Sequence, residues 1–173
     1  MMFHGKMLAA TIAVALGAGA MTAQATTGTT TFTVTATVIN NCVLSSTNIA
    51  FGNYDPTSGT AITAQGAVTA RCTKGDVVSV ALGQGANAAG TSTAAIPARQ
   101  MINGGNLLPY HIYIANSGTT EWGTGVVGTN TPPAQTAASV NTALTFTTYG
   151  SLPPGQDLPA AIYTDSVVAT VTF

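Results

Sequence analysis

Beyond residue 25 the chain holds one imidazole, His111, and five carboxylates: Asp55, Asp76, Glu121, Asp157 and Asp165. A Ser-His-Asp hydrolase would need His111 as its base, yet no G-x-S-x-G elbow is present to expose a nucleophile. The carboxylates are scattered, without the close pairing that suggests glycosidase acid/base chemistry. No HExxH pattern and no phosphate-binding loop occurs. His111 lies in Tyr110-His111-Ile112-Tyr113-Ile114, where alternation puts it on the face opposite Tyr110 and Ile112, as a solvent-facing strand residue. The single indole is Trp122, in Glu121-Trp122-Gly123-Thr124-Gly125. Tryptophan is common in binding hot spots, but beneath a glycine-rich loop the expectation is core packing. These residues carry no expectation of catalysis, cofactor or metal.

Cys42 and Cys72 are the only cysteines. Zinc would require two further ligands, and one histidine is too few. In an exported chain such a pair forms one disulfide, because the compartment beyond the inner membrane is oxidising. The loop closed would span about 30 residues and contribute about 3–4 kcal/mol in the chain-entropy picture.

The expectation of export comes from residues 1–25. His4 and Lys6 make a mildly basic start, Met7 to Met21 is an uncharged run rich in Ala and Gly, and Ala23-Gln24-Ala25 gives the small-x-small pattern of a cleavage site. This reads as a signal peptide, with Thr26 as the mature start. A membrane anchor would need ~20 apolar residues, more than this run offers. The remaining 148 residues (173 − 25) suit one domain. Arg71, Lys74 and Arg99 against the five carboxylates give a formal charge of −2. No basic stripe exists for nucleic acid or for anionic lipid. Charged residues make up only 5% of the chain, a composition with little mutual repulsion that suits assembly.

The elements that must position these residues are strands. Helical spacing of apolar residues is rare, whereas two-residue alternation recurs. Phe32, Val34, Ala36 and Val38 alternate with threonines; Tyr110, Ile112 and Ile114 alternate with His111 and Tyr113. Ala143–Tyr149 repeats the pattern, and so do Val167, Ala169, Val171 and Phe173 at the C-terminus. Each predicts a strand with one face in a core. Ala67–Cys72 and Val77–Leu82 flank a turn at Lys74-Gly75-Asp76, and Asn103-Gly104-Gly105-Asn106 marks another. Pro132-Pro133 and Pro153-Pro154-Gly155 punctuate loops, and Gly83–Ala95 reads as a surface loop. Many short strands with turns between them predict a β-sandwich.

A set of motifs runs along this frame: Asn41-Cys42-Val43 at the end of the first predicted strand, Phe51-Gly52-Asn53-Tyr54, Gly66-Ala67-Val68 leading to Cys72-Thr73, and Arg99-Gln100-Met101. Then follow Leu108-Pro109-Tyr110-His111-Ile112-Tyr113, Trp122-Gly123-Thr124-Gly125, Tyr149-Gly150-Ser151-Leu152-Pro153 with Gln156, and Tyr163-Thr164-Asp165 running into Val167–Phe173. In these motifs the chain resembles the spore coat protein U family, which includes subunits of archaic chaperone–usher pili. One departure is Ala161, where the family pattern has Gly, a change expected to alter a turn.

The resemblance implies an all-β, incomplete immunoglobulin-like (pilin-type) sandwich over residues 37–173, lacking its final strand. It implies a surface-fibre subunit assembled by donor-strand exchange and serving adhesion or biofilm formation. The partners it implies are a periplasmic chaperone, an outer-membrane usher and identical or related subunits. The N-terminal segment, residues 26–36, would be the donor strand, presenting Phe32, Val34 and Ala36. Val167, Ala169, Val171 and Phe173 would border the receiving groove. The sequence supports this in its own terms, because the C-terminal alternating strand has no partner strand after it. Two alternatives stand beside this reading: a tip adhesin, and a secreted coat module completed by its own N-terminus.

Overall fold

The computed structural model describes residues 23–126 and 130–173, and most of the expected export signal lies outside them. The chain divides into two units, Met1–Ala36 and Thr37–Phe173. In the described part of the first unit no strand forms, and Phe32 and Val34 are 85% and 81% exposed. The strand expected over Phe32–Val38 is therefore absent from the single chain. The physical reason is that alternation supplies a face, whereas a strand also needs a neighbour for its backbone hydrogen bonds.

The second unit is all-β, with no helix among the described residues. Its strands are β1 (Cys42–Thr47), β2 (Ile62–Cys72), β3 (Val77–Leu82), β4 (Arg99–Asn103), β5 (Asn106–Tyr113), β6 (Gln135–Thr136), β7 (Leu144–Leu152) and β8 (Ala169–Thr172). One sheet has the order β1-β2-β7-β5-β4 and the other β6-β3-β8. Cys42 thus opens β1 and does not end a strand, because pairing with β2 starts at the cysteines and runs to Thr47↔Ala67.

Alternation explains the core. On β7, Leu144, Phe146, Thr148, Gly150 and Leu152 are all buried, and Leu108, Tyr110 and Ile112 do the same on β5. Across the ladder Phe146 faces Val68 and Leu144 faces Ala70, so these apolar pairs pack face to face. Val78, Val80 and Leu82 of β3 close the core from the second sheet, and the fully buried Trp122 packs with them. The turn at Lys74-Gly75-Asp76 is present, with Gly75 at φ +96°, but it makes no hairpin. It carries the chain from β2 in one sheet to β3 in the other. The turn at Gly104-Gly105 does join paired strands, with Asn103 opposite Asn106.

Candidate functional site: an apolar groove between two unpaired edges

Any sheet ends in edges, and unpaired edges are templates for another chain. Of the four here, those of β1, β4, β6 and β8, one is covered. The free side of β4 bonds to the Thr164 segment, Ile102 donating to the Thr164 carbonyl at 2.9 Å and accepting from its amide at 3.2 Å. The side of β3 away from β8 is met by β6 and by the Leu82 amide donating to the Gly123 carbonyl at 3.1 Å. The outer edges of β1 and β8 pair with nothing among the described residues.

Between those two edges runs a groove of about 630 Å³. Leu44, Ser46 and Ile49 come from one wall, Val167, Ala169 and Val171 from the other, and Val68, Tyr110 and Ile112 from the floor. The floor residues are the inner face of the five-stranded sheet, so the groove opens directly onto the core. Of the residues named for the C-terminal strand, Val167, Ala169 and Val171 line this hollow. Phe173 lies just past β8, is 48% exposed, and is not among the lining residues. A second hollow of about 560 Å³ continues past Phe51, Met101 and Tyr163 toward Leu158.

The walls have opposite directions. Cys42 opens β1 opposite Cys72, and the turn after Cys72 feeds β3, where Ser79 faces Thr172 of β8. The start of β1 and the end of β8 therefore share one end of the groove. That end is fastened by the Cys42–Cys72 disulfide, whose Cα atoms are 4.1 Å apart.

Two glycines that sequence reasoning quoted without assigning a role shape the first wall. After Thr47 the chain crosses the inner face of the sheet, and Ile49 and Phe51 pack down onto it. A Cβ on Gly66 would stand 2.5 Å from the Thr47 carbonyl oxygen and 2.9 Å from Ile49. On Gly150 it would stand 2.7 Å from Ile49 and 3.0 Å from the Phe51 ring. Only glycine admits so close a crossing. Phe51 then meets Tyr110 edge-on, with ring centroids 6.2 Å apart. The Tyr54 hydroxyl donates to the Pro153 carbonyl at 3.1 Å and accepts from the Gln156 amide at 2.8 Å, tying this segment to the loop after β7.

The second wall is held by Asp165. One of its carboxylate oxygens accepts from the Tyr110 hydroxyl at 2.7 Å; the other accepts from the Ala86 amide at 3.0 Å and Asn87 Nδ2 at 3.1 Å. Burial, together with this carboxylate, pushes the Tyr110 hydroxyl far above the usual phenol range, so it remains a donor. Deeper in, Arg99 is fully buried and donates to the carbonyls of Leu82, Gly83 and Trp122, the Trp122 bond being 2.7 Å. Its Nη1 is 3.7 Å from Glu121 Oε2, an ion pair too long for a hydrogen bond. Burial lowers the Arg99 pKa, yet an arginine in this setting stays charged.

His111 is on the face opposite Tyr110 and Ile112, as expected, but it is partnered. Its Nδ1 bonds to Glu121, a contact that raises its pKa. Trp122 packs in the core and donates Nε1–H to the Val80 carbonyl at 3.2 Å. Among the described residues no group of three or more His, Cys, Asp or Glu side chains could hold a metal ion. The sequence signal for Gly66, Gly150 and Asp165 was their place in the recurring motifs. The signal for Glu121 was its adjacency to Trp122.

The chain is similar to Protein U of Myxococcus xanthus, with 33% identity over 162 aligned residues, 87% of this chain and 88% of that one. In fold it is similar to a chain in the crystal structure of the CsuC-CsuE chaperone-tip adhesion subunit pre-assembly complex, from archaic chaperone-usher Csu pili of Acinetobacter baumannii. The TM-score is 0.52 at 22% identity, covering 79% of this chain and only 40% of the other. The Spore Coat Protein U domain profile matches residues 28–170. With that profile covering all but the first 27 and the last three residues, the chain belongs to the Spore Coat Protein U domain family.

Proposed function

We propose that this protein is an exported structural subunit of a chaperone–usher type surface fibre, in which the groove between β1 and β8 receives a strand from another chain. The observation that carries the reading is the pair of unpaired edges flanking an apolar slot that opens onto the core. A sandwich with such a slot is missing a strand, and β-augmentation is the chemistry that supplies one. A periplasmic chaperone would occupy the slot first, an outer-membrane usher would receive the subunit, and the N-terminal segment of the next subunit would take the chaperone's place. The fibre would serve adhesion or biofilm formation. No step of this function calls for catalysis.

The donor is residues 26–36. Phe32, Val34 and Ala36 share one face, and Phe32 and Val34 are largely exposed in the single chain. Burying each of these two would contribute about 1.5–3 kcal/mol, whereas a buried arginine in their place would be desolvated and unpaired. Phe32→Arg and Val34→Arg should therefore abolish the heat-resistant multimer ladder on gels and the fibres seen by electron microscopy. Export and chaperone capture should persist, because the variant's own groove is intact. Wild-type polymerisation of both variants would remove the N-terminus as donor and favour a self-contained coat module.

A further inference from the structure

We infer that Thr73 is a positioning residue: it clips the root of the N-terminal arm to the side of β1 away from the groove, so that the arm completes a second copy rather than its own domain. The inference rests on the reading of residues 26–36 as donor and adds what selects between neighbour and self.

The clip is a cluster of three hydrogen bonds, one of them shared between two acceptors. The Thr73 amide donates to the Asn41 carbonyl at 3.0 Å, and the Asn41 amide donates to Thr73 Oγ1 at 2.9 Å. The same hydroxyl lies 3.3 Å from the carbonyls of Ile39 and Asn41 as donor. Thr73 follows Cys72, the cross-strand partner of Cys42, so these bonds extend the β1–β2 ladder beyond the disulfide. Residues 39–41 are thereby held on the β2 flank, past the end of the groove.

An arm entering its own groove would lie antiparallel beside β1, so the chain must reverse near residues 37–41. With Ile39 held, a two-residue loop leaves only Thr37-Val38. That loop pairs Ala36 with Ile39 and hence Phe32 with Val43. Side chains directly opposite share a face, and Val43 is 65% exposed while Leu44 lines the groove. Phe32 and Val34 would then point away from the slot, the one-residue error that inverts a strand. Two-residue hairpins also need positive φ, which β-branched Val38 resists. A three-residue loop, 36–38, corrects the face but places Val38 at the position that favours the left-handed conformation.

Releasing Ile39 changes the outcome. A five-residue loop over residues 36–40 becomes available, ending on Asn40, a residue type that tolerates the left-handed region. It would bring Phe32 opposite Leu44 on the groove face. The hydroxyl of Thr73 is thus the group that withholds the productive loop.

The test is the full chain secreted with its native leader, comparing wild type, Thr73→Val and Thr73→Ser. Thr73→Val keeps size and the backbone bond to Asn41 while removing the hydroxyl. It should move at least half of the heat-resistant material from the multimer ladder to a heat-resistant monomer, with amides of residues 30–36 newly protected from hydrogen exchange. Thr73→Ser should restore the ladder. A Thr73→Val ladder like wild type overturns the inference, and so does loss of multimers without a protected monomer. If Thr73→Val does not accumulate, Thr73→Ala removes the same hydroxyl in a smaller side chain and should give the protected monomer; its absence overturns the inference. Multimers lost in Phe32→Arg but unchanged in Thr73→Val would leave the donor assignment standing and defeat only the clip.

Discussion

Replacing Gly66 by alanine places a single methyl group where the chain crosses the sheet, and its cost follows from the geometry. Gly66 has no positive φ, so alanine is conformationally allowed there and alone would stabilise by about 0.4–1 kcal/mol through the unfolded state. Against that stands the contact of 2.5 Å with the Thr47 carbonyl oxygen, with Ile49 and Thr148 Oγ1 both at 2.9 Å. Overpacking of this kind costs about 1–3 kcal/mol. A backbone carbonyl cannot rotate aside as a rotamer does, so the upper part of that range applies and the net loss is about 2 kcal/mol. With a urea slope of about 2 kcal/mol/M, the midpoint falls by about 1 M. Trp122, the one indole and fully buried, reports the transition by fluorescence. Gly150→Ala should cost less, because its neighbours are the side chains of Ile49 and Phe51. Gly59→Ala, with open space around it and no positive φ, should be slightly stabilising. A Gly66→Ala midpoint equal to that of wild type would refute the claim that this glycine is needed for the crossing.

Cys72→Ser should lower unfolding stability by about 3–4 kcal/mol, read as a urea midpoint against the oxidised parent, while peptide mapping without reductant shows the Cys42–Cys72 pair. His111 carries a pH dependence of definite sign. The Glu121 carboxylate raises its folded pKa, so the stabilisation is complete below the unfolded imidazole value of about 6.5 and fades as pH rises through the higher folded value. His111→Gln should flatten urea midpoints over that window, and an unchanged pH slope would deny the pairing any role. Intact mass of secreted material should show a chain starting at Thr26.

Alternation made most of the sheet legible. Leu108, Tyr110 and Ile112, or Leu144 and Phe146, announce an inward face because a strand's period of two is local. The partner of each strand was not legible, since pairing is decided by distant residues. The turn at Lys74–Asp76 was legible as a turn, but its joining of two sheets was not. Cys42 was misassigned to a strand end for a related reason: Thr33, Thr35 and Thr37 alternate convincingly, yet alternation cannot say whether the pairing neighbour is in the same molecule. Val167, Ala169 and Val171 were legible as one face of an alternating strand. The roles of Gly66, Gly150 and Asp165 depend on a chain crossing overhead, which no local pattern encodes.

The position of the disulfide has a mechanical consequence. In the proposed fibre, joined through its arms, tension would enter each domain at Asn41 and meet Cys42 at the next residue. There the covalent bond passes it to Cys72 at the end of β2, which is paired on both sides by β1 and β7. Load therefore bypasses the hydrogen bonds of β1 and is carried by a strand inside the larger sheet. In the reduced protein the same pull would unzip β1 from its first pair, Cys42↔Cys72, one rung at a time, so a thiol reagent should soften the fibre without shortening it at rest.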